Sequence, residues 1–150
     1  MIFRGTFEHA LDAKHRLTVP AKYRAALAGG VVLALTPEIE AGSTRSLAIW
    51  PAEAFEEYAA QAMADANPLS PRARKMQRTI HNNAFDLELD SANRLMIPAR
   101  AMVFAGLEKD VVVAGSGPCL EVWDRTAYYD YNDAALAEFP EITASLDNTD

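Results

Sequence analysis

The chain contains the same pattern twice, and this repeat limits its possible folds more than any other feature. Residues 7–22, FEHALDAKHRLTVPAK, align with residues 85–100, FDLELDSANRLMIPAR, and seven of the 16 positions are identical. The identities are Phe7/Phe85, Leu11/Leu89, Asp12/Asp90, Arg16/Arg94, Leu17/Leu95, Pro20/Pro98 and Ala21/Ala99. Glu8/Asp86, Val19/Ile97 and Lys22/Arg100 differ conservatively. Downstream, Val31-Val32-Leu33 parallels Val111-Val112-Val113, and Leu47-Ala48-Ile49-Trp50 parallels Leu120-Glu121-Val122-Trp123. Arginine and tryptophan are 34 residues apart in the first copy and 29 in the second. The extra length falls in Thr36–Ser46, which reads as a lengthened loop between strands.

Each copy predicts the same local structures. Phe7, His9 and Leu11, like Phe85, Leu87 and Leu89, alternate with polar or small residues, the period of a half-buried strand. An Asp-x-x-x-Arg segment follows, then a short strand at Leu17–Val19 or Leu95–Ile97. Pro20 and Pro98 stop that strand and suit the first turn of a short helix, at 21–27 or 99–105. Gly29-Gly30 and Gly106 read as helix ends. Two strands follow, near 31–35 and 46–50 in one copy and 111–114 and 119–123 in the other. A longer helix closes each copy, at 52–64 after Pro51 and at 125–137 behind an Asp124 cap. Ser70-Pro71 opens a basic helix between the copies.

A half of about 60 residues with short strands buries too little surface to be stable alone. Two halves related by a pseudo-twofold can bury their strands together. The expectation is one interlocked α+β domain with a closed β structure. Residues 1–69 form the first repeat and 70–137 the second with its preceding basic helix; 138–150 read as an acidic, frayed or disordered tail.

Half of the residues are apolar, enough for a core, and Gly plus Pro number only 15. No stretch approaches the run of about 18 apolar residues that a membrane helix requires. The segment MIFRGTFEHALD lacks the apolar region and cleavage site of a signal peptide. Cys119, the single cysteine, excludes an internal disulfide and a multi-cysteine zinc site, and fits a reducing cytoplasm. The net charge is −7, which by itself argues against nucleic acid. Its distribution is uneven: residues 1–24 sum to +3, residues 72–82 carry four basic and no acidic groups, and residues 111–150 sum to −7. If the basic segments share a surface, an anionic polymer can bind there; if not, the acidic balance should win.

The loops Asp12–Arg16 and Asp90–Arg94 carry the chemistry. An Asp opening a tight turn accepts hydrogen bonds from N–H groups about two residues on. His15 and Asn93 precede the arginines, and both types are enriched at positive φ. Taken alone, such a motif reads equally as a salt-bridged hairpin. Two equivalent arginine tips about a pseudo-twofold favour a linear polymer over a small ligand. His9, His15 and His81 are too scattered for a metal site, and no P-loop, G-x-S-x-G or G-x-G-x-x-G occurs. Neither an enzyme nor a cofactor is therefore expected.

MIFRGTFEHALDAKHRLTVPAKYR, DSANRLMIPAR, AGLEKDVVVAG and LEVWDRTAY together resemble the MraZ family, over about residues 1–137 and in order. These are bacterial transcriptional regulators of the swapped-hairpin, AbrB-like class. The resemblance implies an interlocked swapped-hairpin β-barrel with short flanking helices. It also implies sequence-specific binding of double-stranded DNA at repeated boxes in the promoter of the division and cell-wall gene cluster. A ring-shaped homo-oligomer at the nucleoid, without a membrane partner, is implied as well. The family's DNA-contacting arginines fall on Arg16 and Arg94, its loop-shaping aspartates on Asp12 and Asp90, and a basic loop position on Lys14. His15 and Asn93 stand where the family usually has glycine and complete the expected DNA-binding loops. The competing reading is a protein-interaction scaffold built on the same barrel.

Overall fold

The computed structural model describes residues 2–36 and 45–147. The first repeat contains β1 (Thr6–Ala10), β2 (Arg16–Thr18), a 3-10 turn at Ala21–Tyr23 running into α1 (Arg24–Leu27), β3 (Val31–Leu35), β4 (Leu47–Pro51) and α2 (Ala52–Met63). Then come α3 (Pro71–Asn82), β5 (Ala84–Leu87), β6 (Arg94–Met96), α4 (Ala99–Ala105), β7 (Asp110–Gly115), β8 (Leu120–Asp124) and α5 (Arg125–Asp147). Most of the expected Thr36–Ser46 loop, residues 37–44, lies outside the described residues. Its ends are tied together, with Thr36 N–H donating to the Ser46 carbonyl at 3.2 Å and Ser46 Oγ 3.0 Å from Thr36 Oγ1.

Local chemistry sets the helix ends. Ser70 Oγ accepts the Ala73 N–H at 3.1 Å with Pro71 in the first turn, and Asp124 Oδ2 accepts the Ala127 N–H at 3.1 Å. Gly106 closes α4 in the left-handed region at φ 62°, a conformation that costs a residue without a Cβ nothing. α5 runs ten residues past the expected end at Ala137, so residues 138–147 are helical where a frayed tail is expected. Pro140 removes one N–H from this helix. The spacing of Phe139, Ile142 and Leu146 still suits a helix face, and Thr143 Oγ1 donates to the Phe139 carbonyl at 3.0 Å.

Among the described residues, six strands form one antiparallel sheet in the order β1-β7-β8-β4-β3-β5. The first strand of each repeat pairs with the third strand of the other. Phe7 lies opposite Val113, and its counterpart Phe85 lies opposite Leu33. β4 meets β8 with Ala48 opposite Glu121, and β2 meets β6 with Leu17 opposite Leu95. Both of these pairs join equivalent residues, so the pseudo-twofold passes between them. β5 stops at Leu87, short of the expected Leu89, because β3 begins at Val31, opposite Leu87.

The sheet ends at β1 and β5 and does not close into the expected barrel. The reason is that β2 and β6 leave it to pair with each other as a separate ribbon. Leu17, Val19, Leu95 and Ile97 on this ribbon are buried against Val31, Leu33, Val111 and Val113 on one face of the sheet. Val32, Ala34, Ala48 and Trp50 on the other face pack under Phe55, Ala59 and Ile80 of α2 and α3. Covered on both faces, the central strands read as nearly continuous apolar runs, VVLAL and VVVA. Trp50 stacks on Tyr58 with ring centres 4.7 Å apart, and Trp123 meets Tyr128 at 5.7 Å. The tryptophans thus anchor the helices that follow them.

The N-terminal segment crosses directly over Gly115. Phe3 N–H donates to the Gly117 carbonyl at 2.7 Å, and Gly115 N–H donates to the Gly5 carbonyl at 2.8 Å. A Cβ at Gly115 would lie 2.3 Å from the Arg4 backbone nitrogen and 2.5 Å from the Phe3 carbonyl carbon. Gly115→Ala should therefore destabilise the fold by about 1–3 kcal/mol, as overpacking against rigid neighbours does. An unchanged urea midpoint would contradict this.

Candidate nucleic-acid interface

The two loops have the same internal hydrogen bonding. Asp12 Oδ1 accepts the N–H groups of Lys14 and Arg16, both at 2.9 Å, and its Oδ2 accepts Arg16 Nε at 2.6 Å. Asp90 Oδ1 accepts the N–H groups of Ala92 and Arg94, both at 2.9 Å, and its Oδ2 accepts Arg94 Nε at 2.9 Å. In each loop the residue before the arginine returns its N–H to the aspartate carbonyl, at 3.0 Å for His15 and 2.9 Å for Asn93. His15 and Asn93 take up positive φ, 59° and 60°, as their residue types permit.

The pseudo-twofold brings the loops side by side. His15 O accepts the Ile97 N–H at 2.9 Å, and Asn93 O accepts the Val19 N–H at 3.0 Å, so each tip is fastened to the other repeat's strand. Arg94 Nη1 lies 3.8 Å from Asp12 Oδ2. The arginines sit lower than free tips would. The Arg16 side chain is 25% exposed and that of Arg94 30%, whereas Lys14 and His15 are exposed. Each arginine is gripped through Nε. Among the described residues, neither uses Nη1 or Nη2 in a hydrogen bond.

These contacts hold the Asp12 carboxyl down at about 2, from an ordinary 3.8. The Arg16 N–H contributes most, partial burial opposes it, and Arg16 Nε and the Lys14 N–H add to the lowering. Asp90 is lowered by the same arrangement, led by the Arg94 N–H. A carboxyl depressed in the folded state stabilises it fully above the unfolded value, and that stability is lost as pH falls through the folded value. Between pH 4 and about 2, Asp12→Asn should lose less thermal stability than the native chain. Parallel melting curves for the two proteins across that window would refute the assignment.

Sequence reasoning missed Lys109. The Leu11 N–H donates to the Lys109 carbonyl at 2.8 Å, which puts this exposed lysine beside the first loop. The residue equivalent to Lys109 beside the second loop is Gly29, so Lys109 joins Lys14 only on the first loop's side, where Glu108 lies beside it. Only the pairing of β1 with β7, invisible in local patterns, brings Lys109 there. The basic α3 lies elsewhere: its Ile80 packs on the sheet face opposite the ribbon. The two basic segments thus do not share a surface, so by charge alone the acidic balance wins, and a nucleic-acid reading rests on the geometry of the loops and not on a joint basic face.

Cys119 is buried, and burial raises its thiol to about 11, so it is poorly suited to nucleophilic chemistry. Among the described residues, no group of three or more His, Cys, Asp or Glu side chains could hold a metal, and no helix is long and apolar enough to cross a membrane.

Fold and site together define an α+β protein of two interlocked repeats that presents paired, aspartate-gripped arginines on one ribbon. The family model of the MraZ protein, described as antitoxin-like, matches residues 2–79 and again residues 80–149. The transcriptional regulator MraZ of Mycoplasmoides gallisepticum is 34% identical over 147 residues, covering 98% of this chain and 99% of the relative. The transcriptional regulator MraZ of Nitrosomonas europaea is 40% identical over 131 residues, covering 85% of this chain and 84% of its own. That of Corynebacterium urealyticum is 40% identical over 138 residues, covering 92% of each. The chain belongs to the MraZ family.

Proposed function

We propose that this chain is a sequence-specific DNA-binding transcriptional regulator. It acts at the nucleoid, on short repeated boxes in the promoter of the division and cell-wall gene cluster, and presents its Asp-x-x-x-Arg loops from a ring of several copies. The observation that carries the reading is the pair of arginines on one ribbon, each held through Nε. This grip keeps the Nη nitrogens out of those hydrogen bonds; the O6 and N7 edge of a guanine in the major groove would take up the fork of Arg16, and that of Arg94 in competition with its 3.8 Å ion pair to Asp12. Lys14 and His15 are more exposed than the arginines and suit backbone phosphates, and Asn93 shapes the turn that carries Arg94. The names of the relatives support the regulatory role. The exchange of first strands between repeats supports a swapped-hairpin ancestry for the ribbon.

One chain offers only two such loops and a net charge of −7, so affinity must come from linked copies on adjacent boxes. Gel shifts of a repeated-box promoter and of random DNA at two salt concentrations test this. Two to three phosphate contacts per copy over several copies give a slope of log K against log salt steeper than about −4. Equal binding of both DNAs, or binding indifferent to salt, would overturn the proposal and favour a protein scaffold.

A further inference from the structure

Between α2, α3 and α4, at the end of β3, the chain carries a groove of about 570 Å³. That volume falls within the roughly 300–1,000 Å³ of small-molecule sites. Its walls are apolar, formed by Leu35, Phe55, Tyr58, Ile80, Val103 and Phe104. Phe55 and Tyr58 rest on Trp50, with ring centres 6.1 and 4.7 Å away, so this wall is held in place without a ligand. Arg16 and Arg94 take no part in it.

The charges at the groove are of one sign. Among the described residues its lining includes Arg45 and Arg100 and no carboxylate. Arg100 is exposed and steadied from one side. Its Nη2 donates to Asn83 Oδ1 at 2.7 Å, and Asn83 Nδ2 donates to the Thr79 carbonyl at 2.9 Å. Among the described residues Arg100 makes no ion pair, so the donors on Nε and Nη1 face no anion. The Arg45 guanidinium lies 4.9 Å from the centre of the Phe104 ring, which keeps a second cation at the same wall. Lys75 stands one turn before Thr79 on the same side of α3 and adds to the positive field. An apolar cleft with fixed cations and no carboxylate favours a ligand that is apolar along its body and anionic at one end. The body leaves water, and the head replaces its lost hydration with charge-assisted hydrogen bonds.

We propose that this groove binds a small amphipathic carboxylate, a fatty-acid-like molecule whose hydrocarbon lies along Phe55, Ile80 and Phe104 and whose head meets Arg100. The single charge of a carboxylate is the one that Arg100 can balance. The site goes beyond the regulatory reading and does not depend on it.

Calorimetric titration of the full-length protein, in whatever assembly it forms, tests this with octanoate and octanol. Octanoate should bind at one site per chain. Octanol has the same chain without the charge and should bind about ten-fold more weakly, the worth of a charge-assisted hydrogen bond. Arg100→Gln should weaken octanoate by about the same factor and leave octanol unchanged. Val103→Glu sets a carboxylate on the rim and should weaken octanoate as well. Both side chains are exposed, so far-UV circular dichroism should not change. Octanoate that fails to bind at about 1 mM overturns the proposal, including the case in which another copy of the chain covers the groove. So does octanoate binding that survives both substitutions, which would place it elsewhere on the chain. If Arg100→Gln weakens octanoate and octanol alike, the arginine only shapes the groove and the anion reading fails.

Discussion

Arg94→Ala should lower promoter binding by about 1–3 kcal/mol for every engaged copy, the worth of a good bidentate contact to a base. Arg16→Ala should do the same, and in a multivalent complex the losses compound. Neither change should unfold the loop. Without its arginine, Asp12 still accepts the N–H groups at positions 14 and 16, and Asp90 those at 92 and 94. Lys14→Ala should behave differently. It removes a phosphate contact, so it should weaken all sequences nearly equally and make the salt slope shallower. Arg94→Ala should instead narrow the gap between promoter and random DNA. If both arginine variants bind the promoter as tightly as the native chain, their ion pairs with Asp12 and Asp90 are purely structural.

The second large effect lies on the pseudo-twofold axis itself. Leu17 and Leu95 are opposite each other in the ribbon, 0% and 1% exposed, and belong to the core shared by both repeats. Leu17→Ala or Leu95→Ala should each cost about 2–5 kcal/mol, because lost transfer energy adds to the cavity left behind. The two cavities adjoin, so the double variant should depart from the sum of the single ones. Chemical denaturation measures both quantities. A loss below 1 kcal/mol for either single variant would mean that the ribbon is a loose cover and not part of the core.

What the sequence by itself determined is local. The period-2 alternation around Phe7 and Phe85 marks strands because a pleated chain sends successive side chains to opposite faces. Ser70-Pro71, Asp124 and Gly106 mark helix ends because the first and last turns need partners for orphan backbone groups. The Asp-x-x-x-Arg loops and the positive φ of His15 and Asn93 were legible because an aspartate closes a turn with atoms only a few residues away. The repeat itself, with the demand that two small halves share a core, was legible from identity alone.

Tertiary structure decided whatever depends on partners distant in the chain. A strand's pattern says which face is buried but not which strand it joins, so the exchange of β1 and β5 between repeats, and with it the place of Lys109, could not be read. Nor could the open edges of the sheet, because closure depends on whether β2 and β6 pair with the sheet or with each other. The basic run of α3 has the same composition on either face of the sheet; the burial of Ala73 and the packing of Ile80 put it opposite the loops. The acidic charge of residues 138–147 hid a helix on which Phe139 and Ile142 are exposed, since charge is counted along the sequence and burial is settled only between surfaces that fold together.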